Sequence, residues 1–175
     1  MKKFLLLLAV AMISIAASAQ VYVGGEVGLW RNSDANRTTF GIQPEVGYNL
    51  SDKWALGISV GFQHLYQDGT SYNGMSVDPY ARWSFVKFGP VSLFLDMGFG
   101  VASYKSNDWD DSRTGWRIGV QPGVRVSLAK HIDFVAHAGF FGYREADDNF
   151  SPYGEQGFGF LVSGNDLSFG INYNF

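Results

Sequence analysis

The chain has 175 residues, no cysteine and a formal net charge of −3. This length suits one domain, since domains usually contain roughly 100 to 200 residues. The missing cysteines exclude a disulfide framework, and a nucleic-acid partner is not expected because no run of Lys or Arg follows Lys3. Glycine (22 residues) and aromatic residues (17%) are abundant, which is typical of many strands joined by turns.

The N-terminal segment has the pattern of an export signal. Two lysines precede an apolar run from Phe4 to Ile13, and the small residues Ala17-Ser18-Ala19 follow it. The run is shorter than the roughly 20 apolar residues that a membrane helix needs. We therefore predict a signal peptide over residues 1–19 and a single mature domain over residues 20–175.

Apolar and polar residues alternate with period two along most of the mature chain. Successive side chains of a strand point to opposite faces, so this alternation predicts strands with one apolar face. Between Val91 and Ala102 every odd position is apolar, whereas the even positions include Ser92 and Asp96. Eight strands are predicted in this way, at Val21–Arg31, Phe40–Leu50, Trp54–Tyr66, Val77–Phe85, Val91–Ala102, Trp116–Leu128, Ile132–Tyr143 and Leu167–Phe175.

The predicted connections alternate between short turns and long polar loops. Short turns at one end and long loops at the other are typical of an outer-membrane barrel whose short turns face the periplasm. The turns are Ser51–Lys53, Lys87–Pro90 and Ala129–His131, and the loops are Asn32–Thr38, Gln67–Gly74, Ser103–Arg113 and Arg144 to about Asn165.

The polar faces of these strands are expected to point inward. A soluble β-sandwich would bury the apolar faces instead and expose many glycines and isolated charges. A barrel in lipid reverses the faces, and eight strands leave an interior that side chains can fill. Inward glycines would then make room for Tyr22, Tyr80, Phe94 and Phe141, so a wide pore is not expected.

Charged residues of both signs share the predicted lumen face and are expected to pair. Arginine suits such a site because its planar fork accepts carboxylates, whereas the lysines of the mature chain all lie in turns or loops. The predicted lumen charge network consists of Glu26, Glu45, Asp78, Arg82, Asp96, Arg117, Arg125, Asp133 and His137.

The C-terminal strand alternates large apolar residues with small or polar ones and ends on an aromatic residue. It resembles the β-signal that the barrel-assembly machinery recognises, with Leu167, Phe169, Ile171, Tyr173 and Phe175 as the signal residues. The whole mature chain resembles the small outer-membrane β-barrel family that includes OmpX and the transmembrane domain of OmpA. The resemblance implies an all-β, eight-stranded antiparallel up-and-down barrel.

The same resemblance implies a location and partners. The protein is expected to be a monomer, integral to the outer membrane of a Gram-negative-type bacterium. Its expected partners are outer-membrane lipid, lipopolysaccharide and the barrel-assembly machinery. One segment departs from the pattern, since the phase of the apolar stretch Gly157–Ser163 does not continue into Leu167. This stretch is a bulged extension of the last strand, a part of the outer loop, or a sign of ten strands.

Catalytic and metal sites are not expected. Asp133 and His137 lie about 13 Å apart along one strand, beyond hydrogen-bond reach. His64 has a lipid-facing phase without a matching acid, and His131 lies in a turn. The acidic clusters Asn107–Asp111 and Glu145–Asn149 lack the Gly and Glu that an EF-hand calcium loop requires, so we expect them to form solvated loops. The alternative is that divalent ions bridge these acids to lipopolysaccharide phosphates. No cofactor is predicted.

The sequence therefore predicts a non-enzymatic outer-membrane barrel. Its role would be envelope integrity or the presentation of outer loops to surface partners. Two alternatives remain open. A narrow channel for small solutes would need a continuous water path past the lumen charges, and a lipid-modifying enzyme would need His64.

Overall fold

The computed structural model describes residues 20–32, 37–67, 69–107, 111–146, 153, 156–162 and 167–175. The predicted signal peptide lies outside these residues. In the part of the chain that is described, no helix has the length and apolar character needed to cross a bilayer. Ten strands are formed: β1 (Val21–Asn32), β2 (Arg37–Asn49), β3 (Trp54–Gln67), β4 (Thr70–Phe88), β5 (Val91–Ser106), β6 (Arg113–Ala129), β7 (Ile132–Ala138), β8 (Phe140–Ala146), β9 (Gly157–Leu161) and β10 (Leu167–Asn174).

Eight of these strands form a closed antiparallel ring. Strands β1 to β7 pair with their neighbours in chain order, and β10 closes the ring by pairing with both β7 and β1. Strands β8 and β9 lie outside the ring, because β8 pairs with the outer half of β6 and β9 pairs with β8. The predicted eight-stranded antiparallel barrel is confirmed, with two additional strands.

A glycine bulge separates β7 from β8. Val120 and Gly123 are three positions apart on β6. Their partners, Phe141 and His137, are four positions apart, so the partner side contains one extra residue. Gly139 occupies this position with φ of 72°, a left-handed conformation that favours glycine. An extra residue reverses the inward and outward alternation beyond it.

A larger offset separates β9 from β10. Ala138 and Phe140 are two positions apart in the chain. Their partners, Leu167 and Leu161, are six positions apart, so the partner side contains four extra residues. Most of the apolar stretch Gly157–Ser163 is therefore the strand β9, in line with β10 and beside β8. Of the three interpretations, a ring of ten strands does not describe this arrangement, because the ring closes through eight. Ser163 and the residues that join β9 to β10 lie outside the described ranges.

The two faces of the wall differ as the alternation predicts. Apolar side chains such as Val46, Ile58 and Ile118 are exposed on the outer surface. Side chains of the opposite phase, such as Tyr22 and Arg82, are buried in the interior. Aromatic rings gather near the short turns, where Trp54 and Trp83 stack with centroids 6.1 Å apart and Tyr173 packs on Phe175. Such a girdle is typical of a membrane interface.

Candidate functional site

The centre of the lumen is built around Arg82. Its Nε and Nη2 each donate a hydrogen bond of 2.8 Å to a different carboxylate oxygen of Asp96, the residue directly opposite on β5. Its Nη2 also lies 3.7 Å from Oε2 of Glu45 on β2. Arg82 is only 2% exposed, and a buried charge without a counter-charge is strongly destabilising. The fold therefore depends on the pairing of Arg82 with these carboxylates.

His137 joins this pair to the opposite side of the lumen. Its Nε2 lies 2.9 Å from Asp96 Oδ2, and its Nδ1 lies 2.6 Å from Glu26 Oε1. Both ring nitrogens are thus engaged by carboxylates. Glu26 and His137 are 111 residues apart in the chain. They meet only because β1 pairs with β10 and closes the ring.

Aromatic rings close the layer around the guanidinium. The Arg82 Cζ lies 4.2 Å from the ring centroid of Phe94, 5.1 Å from that of Tyr80 and 5.7 Å from that of Tyr22, within the range of cation–π attraction. The hydroxyls of Tyr22 and Tyr80 lie 2.8 Å apart, and Tyr80 donates to Glu45. We call Tyr22, Glu45, Tyr80, Arg82, Phe94, Asp96 and His137 the central layer.

Glycines on neighbouring strands make room for these rings. A Cβ at Gly47 would overlap the ring of Tyr22, and a Cβ at Gly123 would overlap that of Phe94. Gly57 stands in the same relation to Tyr80. The alternation of glycine with large inward side chains therefore follows from steric exclusion in a narrow barrel.

A second cluster lies outward of the central layer. Arg117 Nη2 and Nε lie 2.9 and 3.1 Å from Asp78 Oδ1, and the Tyr153 hydroxyl donates to the same oxygen at 2.9 Å. The Arg117 guanidinium also lies over the Tyr153 ring, 4.5 Å from its centroid. Burial raises the pKa of the Tyr153 phenol, so it remains a donor at neutral pH. The role of Tyr153 has no signal in the sequence, because a loop carries it.

Two inward residues differ from the sequence prediction. Phe141 was expected inside, but it is 50% exposed on the outer face, and Phe140 is buried in its place. Arg144 was placed in the outer loop, yet it belongs to β8 and its guanidinium lies 4.5 Å from the Phe140 centroid. The bulge at Gly139 explains the exchange of Phe140 and Phe141, because it shifts the strand phase by one residue. Arg144 differs for another reason, since β8 continues to Ala146, beyond the predicted strand end at Tyr143.

A third, weaker cluster lies near the short turns. Arg125 Nε is 3.9 Å from Asp133 Oδ2, which also accepts a hydrogen bond of 3.0 Å from Asn174 Nδ2. With this pair, all nine ionisable residues of the predicted network lie in the lumen, in three clusters.

The predicted assembly-signal residues lie on the outer face of the barrel. Each of them is at least 40% exposed: Leu167, Phe169, Ile171, Tyr173 and Phe175.

A polar cavity of about 330 Å³ lies outward of the central layer. Its walls include Glu26, Gln43, Asp78, Arg117 and Ser168. The central layer forms its floor through Glu45, Tyr80, Asp96 and His137. The cavity is large enough for a small ligand, since ligand sites are typically about 300 to 1,000 Å³.

The remaining histidines contact neutral groups. His64 Nδ1 lies 2.8 Å from the side-chain oxygen of Asn73, and His131 Nδ1 lies 2.7 Å from the backbone oxygen of Asn174. Over the described ranges, no group of three or more His, Cys, Asp or Glu is arranged to hold a metal ion. The acidic clusters at 107–111 and 145–149 lie largely outside the described residues.

Known proteins share this architecture. The chain matches a family model described as the outer membrane protein beta-barrel domain over residues 4–175. No curated protein matches it. The N-terminal β-barrel domain of Pseudomonas aeruginosa OprF is 16% identical, with a TM-score of 0.55 over 90% of this chain and 98% of that one. Neisserial surface protein A (NspA) is also 16% identical, with a TM-score of 0.56 and the same coverage.

These structural likenesses show the fold alone, because the identities are low. The family match spans almost the whole chain. It confirms the resemblance to small outer-membrane barrels and the predicted location in the outer membrane. The chain belongs to the outer membrane protein beta-barrel domain family and is an integral outer-membrane barrel.

Proposed function

We propose that this protein is a non-conducting, non-enzymatic barrel that serves the outer membrane structurally and presents its outer loops to surface partners. The observation that carries the proposal is the central layer. Tyr22 and Arg82 are each 2% exposed and Phe94 is 0% exposed, although all three point into the lumen of a membrane barrel. A continuous water path would leave such side chains accessible.

The arrangement of charges supports a closed lumen. Opening a path through the central layer would require Arg82 to leave Asp96 and three aromatic rings together. Removing one partner of a buried ion pair typically costs about 3 to 5 kcal/mol, because the other charge is left uncompensated. The narrow-channel alternative needs this rearrangement to occur spontaneously.

The histidines favour a role without catalysis. A general base needs a free ring nitrogen within reach of a substrate proton. His137 lines the floor of the cavity, but both of its ring nitrogens are already engaged by Glu26 and Asp96. His64 faces outward and contacts a neutral Asn73 rather than an acid that would orient it. A lipid-modifying role therefore has little support from these contacts.

The outer surface supports the proposed partners. Exposed apolar side chains around the ring suit contact with outer-membrane lipid, including lipopolysaccharide in the outer leaflet. We propose that the outward residues of β10 are recognised by the barrel-assembly machinery. We also propose that the protein works as a monomer, since the ring of eight strands closes within one chain.

Planar-bilayer conductance tests the proposal. The full chain should give no conductance steps across a range of voltages. The double variant Arg82→Ala with Phe94→Ala removes two side chains of the central layer and should conduct, which shows that the assay detects an open lumen. Steps from the wild-type chain of similar size to those of the double variant would contradict the proposal and favour the narrow channel.

A further inference from the structure

The outer face of the barrel changes from apolar to polar near the outer ends of β3, β4 and β5. Apolar side chains such as Phe62 of β3 and Met75 of β4 lie exposed on this face. The next outward positions on these two strands carry His64 and Asn73, and Lys105 stands beside them on β5. All three of these side chains are exposed. Polar and basic groups therefore follow the apolar surface.

His64, Asn73 and Lys105 form one row across the sheet, which we call the polar row. His64 pairs with Asn73 in the β3–β4 ladder, and Asn73 pairs with Lys105 in the β4–β5 ladder. Lys105 was expected in a loop, but it lies in β5 and points outward between the buried residues Tyr104 and Ser106. Neighbouring strands lie about 4.8 Å apart, so the Cα atoms of His64 and Lys105 are separated by roughly 10 Å.

The polar row lies at the outer boundary of the apolar band. Trp54 and Trp83, which stack in the aromatic girdle, mark the opposite boundary. His64 is ten positions from Trp54 along β3, and Asn73 is ten positions from Trp83 along β4. Ten positions span about 33 Å along a strand, or about 25 Å along the membrane normal at a tilt of about 40°. The apolar band of an outer-membrane barrel is about 25 Å tall, so the row lies at the level of the outer head groups.

The polar row offers hydrogen-bond donors and positive charge. His64 Nδ1 donates a hydrogen bond of 2.8 Å to Asn73 Oδ1, because a carbonyl oxygen can only accept. This contact leaves Nδ2 of Asn73 as a donor, and Nε2 of His64 can take up a proton and donate as well. Within the described ranges, no acid forms an ion pair with Lys105. The row therefore favours an anion that carries several acceptor oxygens.

We propose that the polar row binds a phosphate of lipid A, the membrane anchor of lipopolysaccharide. The proposal rests on the contact with lipopolysaccharide proposed above and names the residues that make it. The phosphate lies over Asn73 and accepts hydrogen bonds from its Nδ2, from His64 Nε2 and from Lys105 Nζ. The flexible stem of Lys105 allows its ammonium group to reach the phosphate. The acyl chains of the lipid lie against the apolar surface at Phe62 and Met75.

The charge of the ligand distinguishes lipid A from a phospholipid. The phosphates of lipid A are monoesters, which carry a charge of about −1.5 to −2 at neutral pH, whereas the phosphodiester of a phospholipid carries less. Two basic side chains that face one phosphate match the monoester better. The position of the row at the end of the barrel with the long loops also places it in the outer leaflet, where lipopolysaccharide lies.

NMR of the full chain in dodecyl maltoside micelles tests the proposal, since these micelles contain no phosphate. The probes are lipid A and the same lipid A after removal of its phosphates. Lipid A should shift the side-chain amide signals of Asn73, and the shift should saturate. The dephosphorylated form should bind at least about tenfold more weakly, because the charge-assisted hydrogen bonds to the phosphate are lost.

Lysine variants with matched changes of charge locate the site. Lys105→Gln removes one positive charge from the polar row and should weaken lipid A binding at least about tenfold. Lys53→Gln removes one positive charge from a short turn at the other end of the barrel and should bind as the wild type does. Lys105→Arg keeps the charge and should bind within about threefold of the wild type. Heat-modifiable gel mobility shows that the variants are folded.

The double variant His64→Gln with Lys105→Gln tests whether both side chains act on the phosphate. It should bind lipid A and dephosphorylated lipid A with equal affinity, because only the contact with the acyl chains remains. Continued preference for the phosphorylated form would show that the phosphate binds elsewhere on the barrel.

Several outcomes would overturn the proposal. Equal binding of the two forms of lipid A by the wild type would exclude a phosphate site and leave the proposed apolar contact with lipopolysaccharide intact. The absence of saturable shifts with either form would contradict both proposals. Equal loss of binding in Lys105→Gln and Lys53→Gln would assign the effect to net charge. Binding of phosphatidylglycerol as tight as that of lipid A would assign the row to phospholipid phosphates instead.

Discussion

Arg82 and Asp96 face each other directly across the β4–β5 ladder, and two hydrogen bonds of 2.8 Å join the guanidinium to both carboxylate oxygens. This bidentate geometry is the strongest form of the arginine–carboxylate pair. Because both side chains are buried, each stabilises the barrel only while the other is present.

Removing one partner of this pair should therefore cost more than removing both. We expect Arg82→Leu to lower the free energy of unfolding by about 3 to 5 kcal/mol, because Asp96 and Glu45 would lose their counter-charge. The double variant Arg82→Leu with Asp96→Leu should be more stable than Arg82→Leu alone. Urea unfolding in lipid vesicles measures the four free energies needed, those of the wild type, Arg82→Leu, Asp96→Leu and the double variant. Simple additivity of the two single changes would show that the pair is not coupled.

The two faces of the barrel wall give a second prediction, because one faces lipid and the other faces the polar lumen. Ile118 is 52% exposed on the outer face of β6, so Ile118→Arg should lower the free energy of unfolding by about 2 to 4 kcal/mol. Gln121 lies on the same strand but lines the polar cavity, and Gln121→Arg should fold normally. Heat-modifiable gel mobility reports folding for both. Equal loss of the folded band would reverse the assignment of faces.

The glycines that accommodate aromatic rings give a third prediction. Gly123→Ala places a methyl group against the Phe94 ring and should lower stability by about 1 to 3 kcal/mol through overpacking. Gly41→Ala is the matched control, since the nearest atom to its Cβ would be 3.7 Å away. A second change, Phe94→Leu, should restore part of the loss in Gly123→Ala. If both glycine variants unfold at the same urea concentration, steric exclusion does not explain these glycines.

The bulge at Gly139 is the basis of a fourth prediction. Alanine there would adopt a left-handed conformation at a cost of about 1 to 2 kcal/mol, and its Cβ would also overlap the backbone oxygen of Leu161. We expect Gly139→Ala to unfold at lower urea concentration than Gly159→Ala, whose Cβ has no described atom within 4 Å. Equal midpoints would show that the bulge carries no strain.

The sequence predicted the ring because period-two alternation is a local property that each strand carries by itself. It also placed nine ionisable residues on the inner face. It did not predict the specific partners of His137, because Glu26 and Asp96 reach it only through closure of the ring.

The faces on which the β8 side chains lie could not be predicted for a different reason. A single extra residue at Gly139 exchanges the positions of Phe140 and Phe141, and alternation alone contains no mark of it. Tyr153 was missed because loop residues have no periodicity, so nothing in the sequence links it to Asp78.

Thiol accessibility tests closure of the lumen most directly, because the chain has no cysteine of its own. Ser76 lies outward of the central layer on β4, and Ser92 lies on its other side, below Phe94 on β5. A membrane-impermeant thiol reagent added from outside should label Ser76→Cys and leave Ser92→Cys unlabelled, whereas the urea-unfolded chains should react at both positions. Labelling of Ser92→Cys from outside at a rate close to that of Ser76→Cys would contradict a closed lumen.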